Sequence, residues 1–234
     1  MKRQKRVILI LCWLRNIVLS LFALSLFFVL LYKYVPVYYT PHLFAKDMTQ
    51  LFEDEDGAKT EHQWVPLSDI SPNLMNAVIA SEDNLFLIHN GFDFSKSATN
   101  PGEISRSRYK WKTGTISQQT ARNVFLFPTE NYLSATLETY FTFLIEFVWG
   151  KQRIMEVYLN SIEFGDGIFG AEAIARKNFQ IQAKELGASE AALITVSINN
   201  PRELDSSKPT TYMLRRQAKI LSIMDNMIPV EFGK

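Results

Sequence analysis

The chain has 234 residues, enough for one domain with accessory segments and a sizeable buried core. Its formal net charge of +1 excludes the global basic field of a nucleic-acid-binding protein, so no nucleic acid partner is expected. The single cysteine, Cys12, excludes an intramolecular disulfide.

The first residues predict a membrane anchor. A basic tail at 1–6 precedes an apolar segment at 7–34, whose uninterrupted part, 17–32, would span roughly 24 Å as a helix. The preceding turns make the span sufficient for a bilayer when Arg15 snorkels to the headgroups. The positive charges predict a cytoplasmic N-terminus and an extracytoplasmic remainder. A cleaved signal peptide is the alternative, but no small-x-small cleavage site follows the apolar core, which favours an uncleaved anchor.

The rest of the chain reads as mainly helical. Residues 35–70 look like a polar connector, and 71–234 form the predicted main domain. Ser71-Pro72 is a cap followed by a first-turn proline, and it opens a predicted helix that runs toward Phe86. Residues 95–114 have little apolar content and predict a long loop. Further helices are predicted at about 115–126, 133–149, 152–160, 170–179, 188–198 and 211–227. No alternating strand pattern of useful length appears, so the predicted fold class is mainly α.

The helix predicted at 133–149 carries the clearest apolar periodicity. Its apolar residues recur at helical spacing and predict one buried stripe: Leu133, Leu137, Tyr140, Phe141, Leu144, Ile145 and Val148.

One carboxylate in the first predicted helix stands out. Glu82 shares a helix face with four apolar residues, namely Met75, Val78, Ile79 and Phe86. Such a carboxylate either has a buried partner or lines a cleft, where desolvation would suit a general base. The alternative is a glutamate at a helix end that reaches solvent.

The letters around Glu82 resemble a known signature. The stretch AVIASEDNLFLIHNGFD at 77–93 is similar to the first motif of the peptidoglycan glycosyltransferases (glycosyltransferase family 51), E-D-x-x-F-x-x-H-x-G-F-D. TISQQTARNVFL at 115–126 resembles the second motif, and RIMEVYLNSIEFGDGIFGAEAIA at 153–175 resembles a later block. SEAALI at 189–194 and NNP at 199–201 match the C-terminal portion. The similarity covers about residues 64 to 225, and implies the monofunctional type: one transmembrane helix before a lysozyme-like helical domain.

The resemblance implies roles for particular residues. Glu82 matches the family's general base, and Glu138 matches its second glutamate, which our helical wheel places at the border of the apolar stripe as a residue lining a cleft. The expected substrate-binding residues are Asp83, His89, Thr115, Gln118, Gln119, Arg122 and Asn123. Asp83 is expected to orient its partners, and His89 to hold its loop by hydrogen bonding. Arg122 stands where the family usually has lysine, which keeps the charge and adds bidentate geometry.

Two departures from the family pattern concern the chemistry, because the resemblance implies that the motif's cations meet the donor's phosphates or sugars. Where the family has R-K-x-x-E, the chain has Ser134 and Ala135 before Glu138; where Gly-[Gly/Ala]-Ser is usual, it has Lys112-Thr113-Gly114. We hypothesise that a basic loop substitutes for the missing cations through Arg106, Arg108, Lys110 and Lys112.

The resemblance implies an enzyme that polymerises lipid II into glycan strands by inverting transfer, releasing undecaprenyl pyrophosphate, at the bacterial inner membrane. Expected partners are lipid II, the growing lipid-linked strand, the membrane, and other cell-wall synthesis and division proteins. A weakened scaffold that binds lipid II is the first alternative, favoured by the altered R-K-x-x-E segment. A peptidoglycan hydrolase is the second, because lysozyme-like domains also use a cleft glutamate. No metal-ligand spacing is present, so a divalent cation (Mg²⁺ or Mn²⁺) is implied by the resemblance only.

Overall fold

The structure, a computed structural model, describes residues 2–52, 60–94, 114–129, 131–230 and 232. The chain divides into two units, Met1–Pro36 and Val37–Lys234.

The first unit is one long helix, α1 (Lys2–Tyr34). Its stretch Gln4–Tyr34 has 31 residues, which corresponds to roughly 46 Å of helix and exceeds a hydrocarbon core of roughly 30 Å. Trp13 is 72% exposed, and most large apolar side chains of α1 are exposed as well. Within the described residues, α1 is the helix long and apolar enough to cross a membrane. The helix is consistent with the predicted single-pass anchor.

The second unit is mostly helical, as predicted. In chain order its described elements are α2 (Pro41–Phe52), β1 (Glu61–His62), a 3₁₀ turn (Leu67–Asp69), α3 (Pro72–Glu82), α4 (Ile116–Phe125), α5 (Tyr132–Val148), α6 (Gly150–Ser161), β2 (Glu163–Gly165), β3 (Ile168–Phe169), α7 (Ala171–Phe179), a second 3₁₀ turn (Ala183–Glu185), α8 (Ala188–Ser197) and α9 (Thr211–Asn226).

Helix α8 lies at the centre of this unit. Its residues 191–197 are all buried, and it packs against α3 and α9. On α3, Leu74, Ala77 and Val78 are fully buried, and burial of such apolar surface is the main stabilising contribution in a core. Helix α3 therefore forms a rigid base for the residues at its C-terminal end.

The C-terminal residues also contact α3. The Val230 backbone N–H donates to the Asn76 side-chain oxygen at 2.8 Å, and Asn76 is itself buried. A buried amide oxygen without a partner is costly, so this contact satisfies a polar group inside the α3 packing.

A small sheet closes one end of the unit. Its strand order is β1-β3-β2, with β1 parallel and β2 antiparallel to β3. The glycine-rich stretch 164–170 supplies β2, β3 and the turn between them. Gly170 has φ +88°, and a Cβ there would lie 3.0 Å from the Asn160 carbonyl oxygen, so only glycine fits. Strands of two or three residues show no periodicity, so the sequence pattern did not predict them.

The segment predicted as a polar connector contains ordered structure. Helix α2 begins after Thr40, whose Oγ1 accepts the Leu43 N–H at 3.1 Å, and it packs against α4. Nearer α3, the Asn160 side-chain amide forms two hydrogen bonds with the Val65 backbone. Its Nδ2 donates to Val65 O at 2.9 Å, and its Oδ1 accepts from Val65 N at 3.0 Å. The Asn160 contacts come from a distant residue, so the local pattern could not predict the order near Val65.

Two helix predictions need correction. Helix α3 ends at Glu82 rather than continuing toward Phe86, because Asp83 takes a non-helical conformation (φ −157°) and uses its side chain elsewhere. The stripe predicted on α5 is buried only toward its end: Phe141 and Ile145 are buried, whereas Leu133 is 68% exposed. Among the described residues, periodicity alone therefore overestimated the buried part of α5.

Candidate active site

Asp83 organises the region around the end of α3. Its side chain is fully buried and accepts from His89 Nε2 at 2.9 Å through both oxygens. Its Oδ2 also accepts the Ile116 backbone N–H at 3.0 Å. Ile116 is the first residue of α4, where a carboxylate satisfies an unpaired N–H and interacts favourably with the helix dipole. Asp83 thus joins the end of α3 to the start of α4.

His89 holds the turn that follows. The Gly91 N–H donates to His89 Nδ1 at 3.1 Å, so Nδ1 is the unprotonated nitrogen and Nε2 carries the hydrogen that Asp83 accepts. Thr115 Oγ1 donates to the Gly91 carbonyl at 2.6 Å, and Thr115 also caps α4 in a reciprocal capping box with Gln118. These contacts fix the position of α4 relative to Glu82.

Glu82 is half-buried and held by neighbouring polar groups. Gln119 Nε2 donates to Glu82 Oε2 at 3.3 Å, and Ser81 Oγ donates to Oε1 at 3.2 Å. The Gln119 amide is oriented in turn, because its Oε1 accepts from Tyr158 Oη at 3.2 Å. Burial raises the pKa of Tyr158 well above its ordinary value, and the charges of Glu82 and Asp83 add to this. Tyr158 therefore stays a hydrogen-bond donor, and the chain from Tyr158 through Gln119 orients the carboxylate.

Arg122 and Glu138 form an ion pair beside this chain. Arg122 Nε lies 2.7 Å from Glu138 Oε2, and both side chains are largely buried. Gln118 Nε2 donates to the other oxygen, Oε1, at 3.2 Å. Charge-assisted hydrogen bonds of this kind are the stronger ones in proteins. Gln118 and Arg122 lie four residues apart on α4, so one helix holds both oxygens of the carboxylate.

A cavity of about 500 Å³ opens in front of Glu82. Four of the predicted site residues line it, namely Glu82, Gln119, Arg122 and Asn123. The remaining five are not among its lining residues: Asp83, His89, Thr115, Gln118 and Glu138. Glu138 contacts Arg122, which itself lines the cavity. Direct substrate contact by these five residues stays a prediction, and their positions favour an indirect role.

Comparison with known proteins assigns this arrangement to a family. The family model described as Transglycosylase matches residues 47–225. The chain belongs to the transglycosylase family. Among similar proteins, a biosynthetic peptidoglycan transglycosylase of Bacteroides thetaiotaomicron is 46% identical over 220 residues, which cover 94% of this chain and 88% of that protein.

Two further similar proteins have the same description. A biosynthetic peptidoglycan transglycosylase of Bdellovibrio bacteriovorus is 42% identical and covers 93% of this chain and 86% of its own length. One of Haemophilus influenzae is 37% identical and covers 97% of each. The chain is therefore an enzyme, a glycosyltransferase of the transglycosylase family that makes cell-wall glycan from a lipid-linked peptidoglycan substrate.

Sequence reasoning missed the residues that complete the transglycosylase cavity. Helix α2 contributes His42, Ala45, Lys46 and Thr49, the β2 region contributes Ile162 and Glu163, and residues 198–203 form a further wall. The α2 residues follow helical spacing on one face, and Thr40-Pro41 repeats the cap-plus-proline signal seen at Ser71-Pro72. That signal could have revealed the helix, although not that its polar face lines the cavity.

Charges on this side of the cavity are paired. Lys46 Nζ lies 3.6 Å from Glu163 Oε1 and also forms an ion pair with Asp166. Burial alone would raise the pKa of Glu163, but hydrogen bonds from His42 and from the Gly167 N–H, together with the Lys46 charge, lower that pKa below its ordinary value. Glu163 is therefore ionised at neutral pH and neutralises part of the Lys46 charge.

The two departures from the transglycosylase pattern have different outcomes. Ser134, which stands in place of the motif's arginine, caps α5: its N–H donates to Asn131 Oδ1 at 2.8 Å, and the Asn131 N–H donates to its Oγ at 3.2 Å. A residue of the capping box thus stands where the motif has arginine. The basic residues Arg106, Arg108, Lys110 and Lys112 lie outside the described residues.

The sequence resemblance implies a divalent cation, which would need several acidic or imidazole ligands close together. Among the described residues, no group of three or more His, Cys, Asp or Glu side chains is close enough to hold a metal ion.

Proposed function

We propose that this transglycosylase polymerises lipid II by inverting transfer and releases undecaprenyl pyrophosphate. The observation that carries the proposal is the position of Glu82, a half-buried carboxylate that lines the cavity and is oriented by Gln119. A general base needs this combination of restricted orientation and access to the reacting hydroxyl. The family membership supports the same class of reaction.

In the proposed reaction, Glu82 accepts the proton of the acceptor's 4-hydroxyl. The hydroxyl oxygen forms a bond to the anomeric carbon of the growing chain, and the bond from that carbon to the pyrophosphate oxygen breaks. The electron pair leaves with undecaprenyl pyrophosphate, so negative charge builds on the leaving group. A nearby cation lowers the barrier by stabilising that charge. Arg122 lines the same cavity and would supply it.

Glu138 acts on the proposed reaction through Arg122. Its ion pair with Arg122 Nε holds the guanidinium in position, and a planar guanidinium is well suited to binding phosphate oxygens. Held in this way, Arg122 loses little side-chain freedom when substrate binds. The Gln119–Glu82 and Arg122–Glu138 contacts favour an active enzyme over the alternative of a catalytically weakened scaffold, despite the altered segment at Ser134.

We further propose that α1 anchors the enzyme in the inner membrane with the basic tail in the cytoplasm. Lys5 and Arg6 precede the apolar stretch, and such charges favour the cytoplasmic side. The catalytic unit would then face the periplasm, where the lipid-linked substrate is used.

The test is glycan formation from labelled lipid II by the full-length protein, compared with Glu82→Gln. We expect polymer from the wild type and a loss of at least about 100-fold from the variant, the usual effect of removing a general base. Glu61→Gln is the matched control, because Glu61 is about half exposed and pairs with Lys177 on the surface. Full polymerisation by Glu82→Gln would exclude Glu82 as the base, and no polymer from the wild type would exclude the reaction.

A further inference from the structure

We propose that Arg202 is a substrate-binding residue of this cavity and contacts a phosphate of the lipid-linked substrate. This inference rests on the proposed function and adds a residue that the family motifs do not contain. It starts from the cations that line the cavity, which among the described lysines and arginines are Lys46, Arg122 and Arg202.

Two of these cations already have carboxylate partners. Arg122 is paired with Glu138, and Lys46 is paired with Glu163 and Asp166. Arg202 differs, because it forms no ion pair with any carboxylate in the part of the chain that the structure describes. Its charge is therefore available to an anion that enters the cavity.

The backbone holds Arg202 in place. Ile198 to Glu203 all line the cavity, and the loop is ordered by its own hydrogen bonds. The N–H groups of Glu203 and Leu204 both donate to the Asn200 carbonyl, at 3.1 and 2.9 Å, and Pro201 is buried. Arg202 is thus exposed on an ordered turn, so the backbone loses little conformational entropy when the side chain binds a ligand.

The chemistry of the substrate fits this position. A pyrophosphate presents several anionic oxygens, and a planar guanidinium can bind two of them at once. The motif's arginine and lysine are replaced by Ser134 and Ala135, and Ser134 is used as a cap. Arg202 and Arg122 come from different elements of one cavity and would together provide two of the cationic contacts that a pyrophosphate needs.

The experiment measures the equilibrium binding of lipid II to the full-length protein in detergent, alongside polymerisation kinetics. For Arg202→Ala we expect the Kd to rise about tenfold, which corresponds to the loss of one charge-assisted hydrogen bond at a partly solvated site. The KM should rise similarly, with kcat within about twofold, because the contact forms in the ground state too. Arg202→Lys should recover part of the affinity, and the difference should shrink at high salt.

Lys208→Ala is the matched control, because Lys208 is an exposed cation a few residues away that does not line the cavity. An unchanged Kd for Arg202→Ala, or an equal rise for Lys208→Ala, would overturn the inference. Competition by inorganic pyrophosphate identifies the group that is bound: it should weaken lipid II binding to the wild type more than to Arg202→Ala, and equal competition in both proteins would contradict the phosphate contact.

The two proposals fail separately. If the wild type makes no polymer but Arg202→Ala still binds lipid II more weakly, the polymerase proposal is lost and the Arg202 contact stands. If polymerisation is normal in the wild type and Arg202→Ala binds and reacts equally well, only the Arg202 inference is lost.

Discussion

Replacing Asp83 by asparagine should both destabilise the protein and slow its reaction. The carboxylate accepts three contacts, two from His89 Nε2 and one from the Ile116 N–H. An amide has one oxygen, so an NH₂ group must face a donor in either orientation. His89 cannot adapt by changing tautomer, because its Nδ1 already accepts the Gly91 N–H. Every arrangement of Asp83→Asn therefore leaves two donors facing each other in a fully buried place.

The magnitude follows from these contacts. An unsatisfied buried donor costs about 1–3 kcal/mol, and losing the charge at the start of α4 adds roughly 0.3–1 kcal/mol. We expect the free energy of unfolding to fall by about 2–4 kcal/mol, within the range of buried polar substitutions. Since Gln119 lies in the first turn of α4, a shift of that helix should also lower kcat by roughly tenfold, because small displacements of positioning groups are costly.

The assay is urea unfolding of the full-length protein in detergent, followed by tryptophan fluorescence, together with polymerisation rates. Asp69→Asn is the control, because Asp69 is half exposed and pairs with Lys184 on the surface; its effect should stay below about 1 kcal/mol. A coupling energy near zero between Asp83→Asn and His89→Gln would refute the reasoning, and so would Asp83→Asn unfolding together with the wild type.

Two further predictions concern a pH effect and a glycine. The lowered pKa of Glu163 means that its ionised form stabilises the folded state above the ordinary pKa of 4.5, and this contribution is lost as the pH falls through the folded-state pKa. On acidification below 4.5, the wild type should therefore lose more stability than Glu163→Gln, as measured by the urea midpoint; parallel losses would contradict this. Gly91→Ala should cost about 2–3 kcal/mol, because Gly91 has φ +91° and a Cβ would lie 2.9 Å from Thr142 Cγ2. Gly150→Ala, with φ +75° and open space around it, carries the backbone strain alone and should cost about 1 kcal/mol; equal losses from the two glycines would exclude the steric contribution.

The sequence predicted most helices of the second unit because their signals are local. Caps and periodicity placed α4, α7, α8 and α9 to within a residue or two of their observed bounds. The end of α3 was placed too late, because Asp83 is held by His89 and Ile116, and the second of these is more than thirty residues away. A contact over this sequence distance cannot be predicted from local periodicity.

In the candidate site, too, locally encoded features were predicted and features set by tertiary packing were not. The motif residues identified the helix that carries Gln119 and Arg122, and the structure places both beside Glu82 along the cavity. The walls from α2 and from residues 198–203 were not predicted, because their side chains become part of the site only through tertiary packing. Arg202 directly follows the NNP stretch at 199–201, but that stretch by itself does not show that the arginine lines the cavity.

The contact between Val230 and Asn76 sets an order on biosynthesis. Helix α3, which carries Glu82, is complete in its hydrogen bonding only when a residue 154 positions later has been delivered. During synthesis, the earlier helices leave the ribosome while the Asn76 amide still lacks this partner. The packing around α3 is therefore completed by a residue 154 positions after Asn76, and truncation before residue 230 would leave the Asn76 side-chain oxygen without this donor.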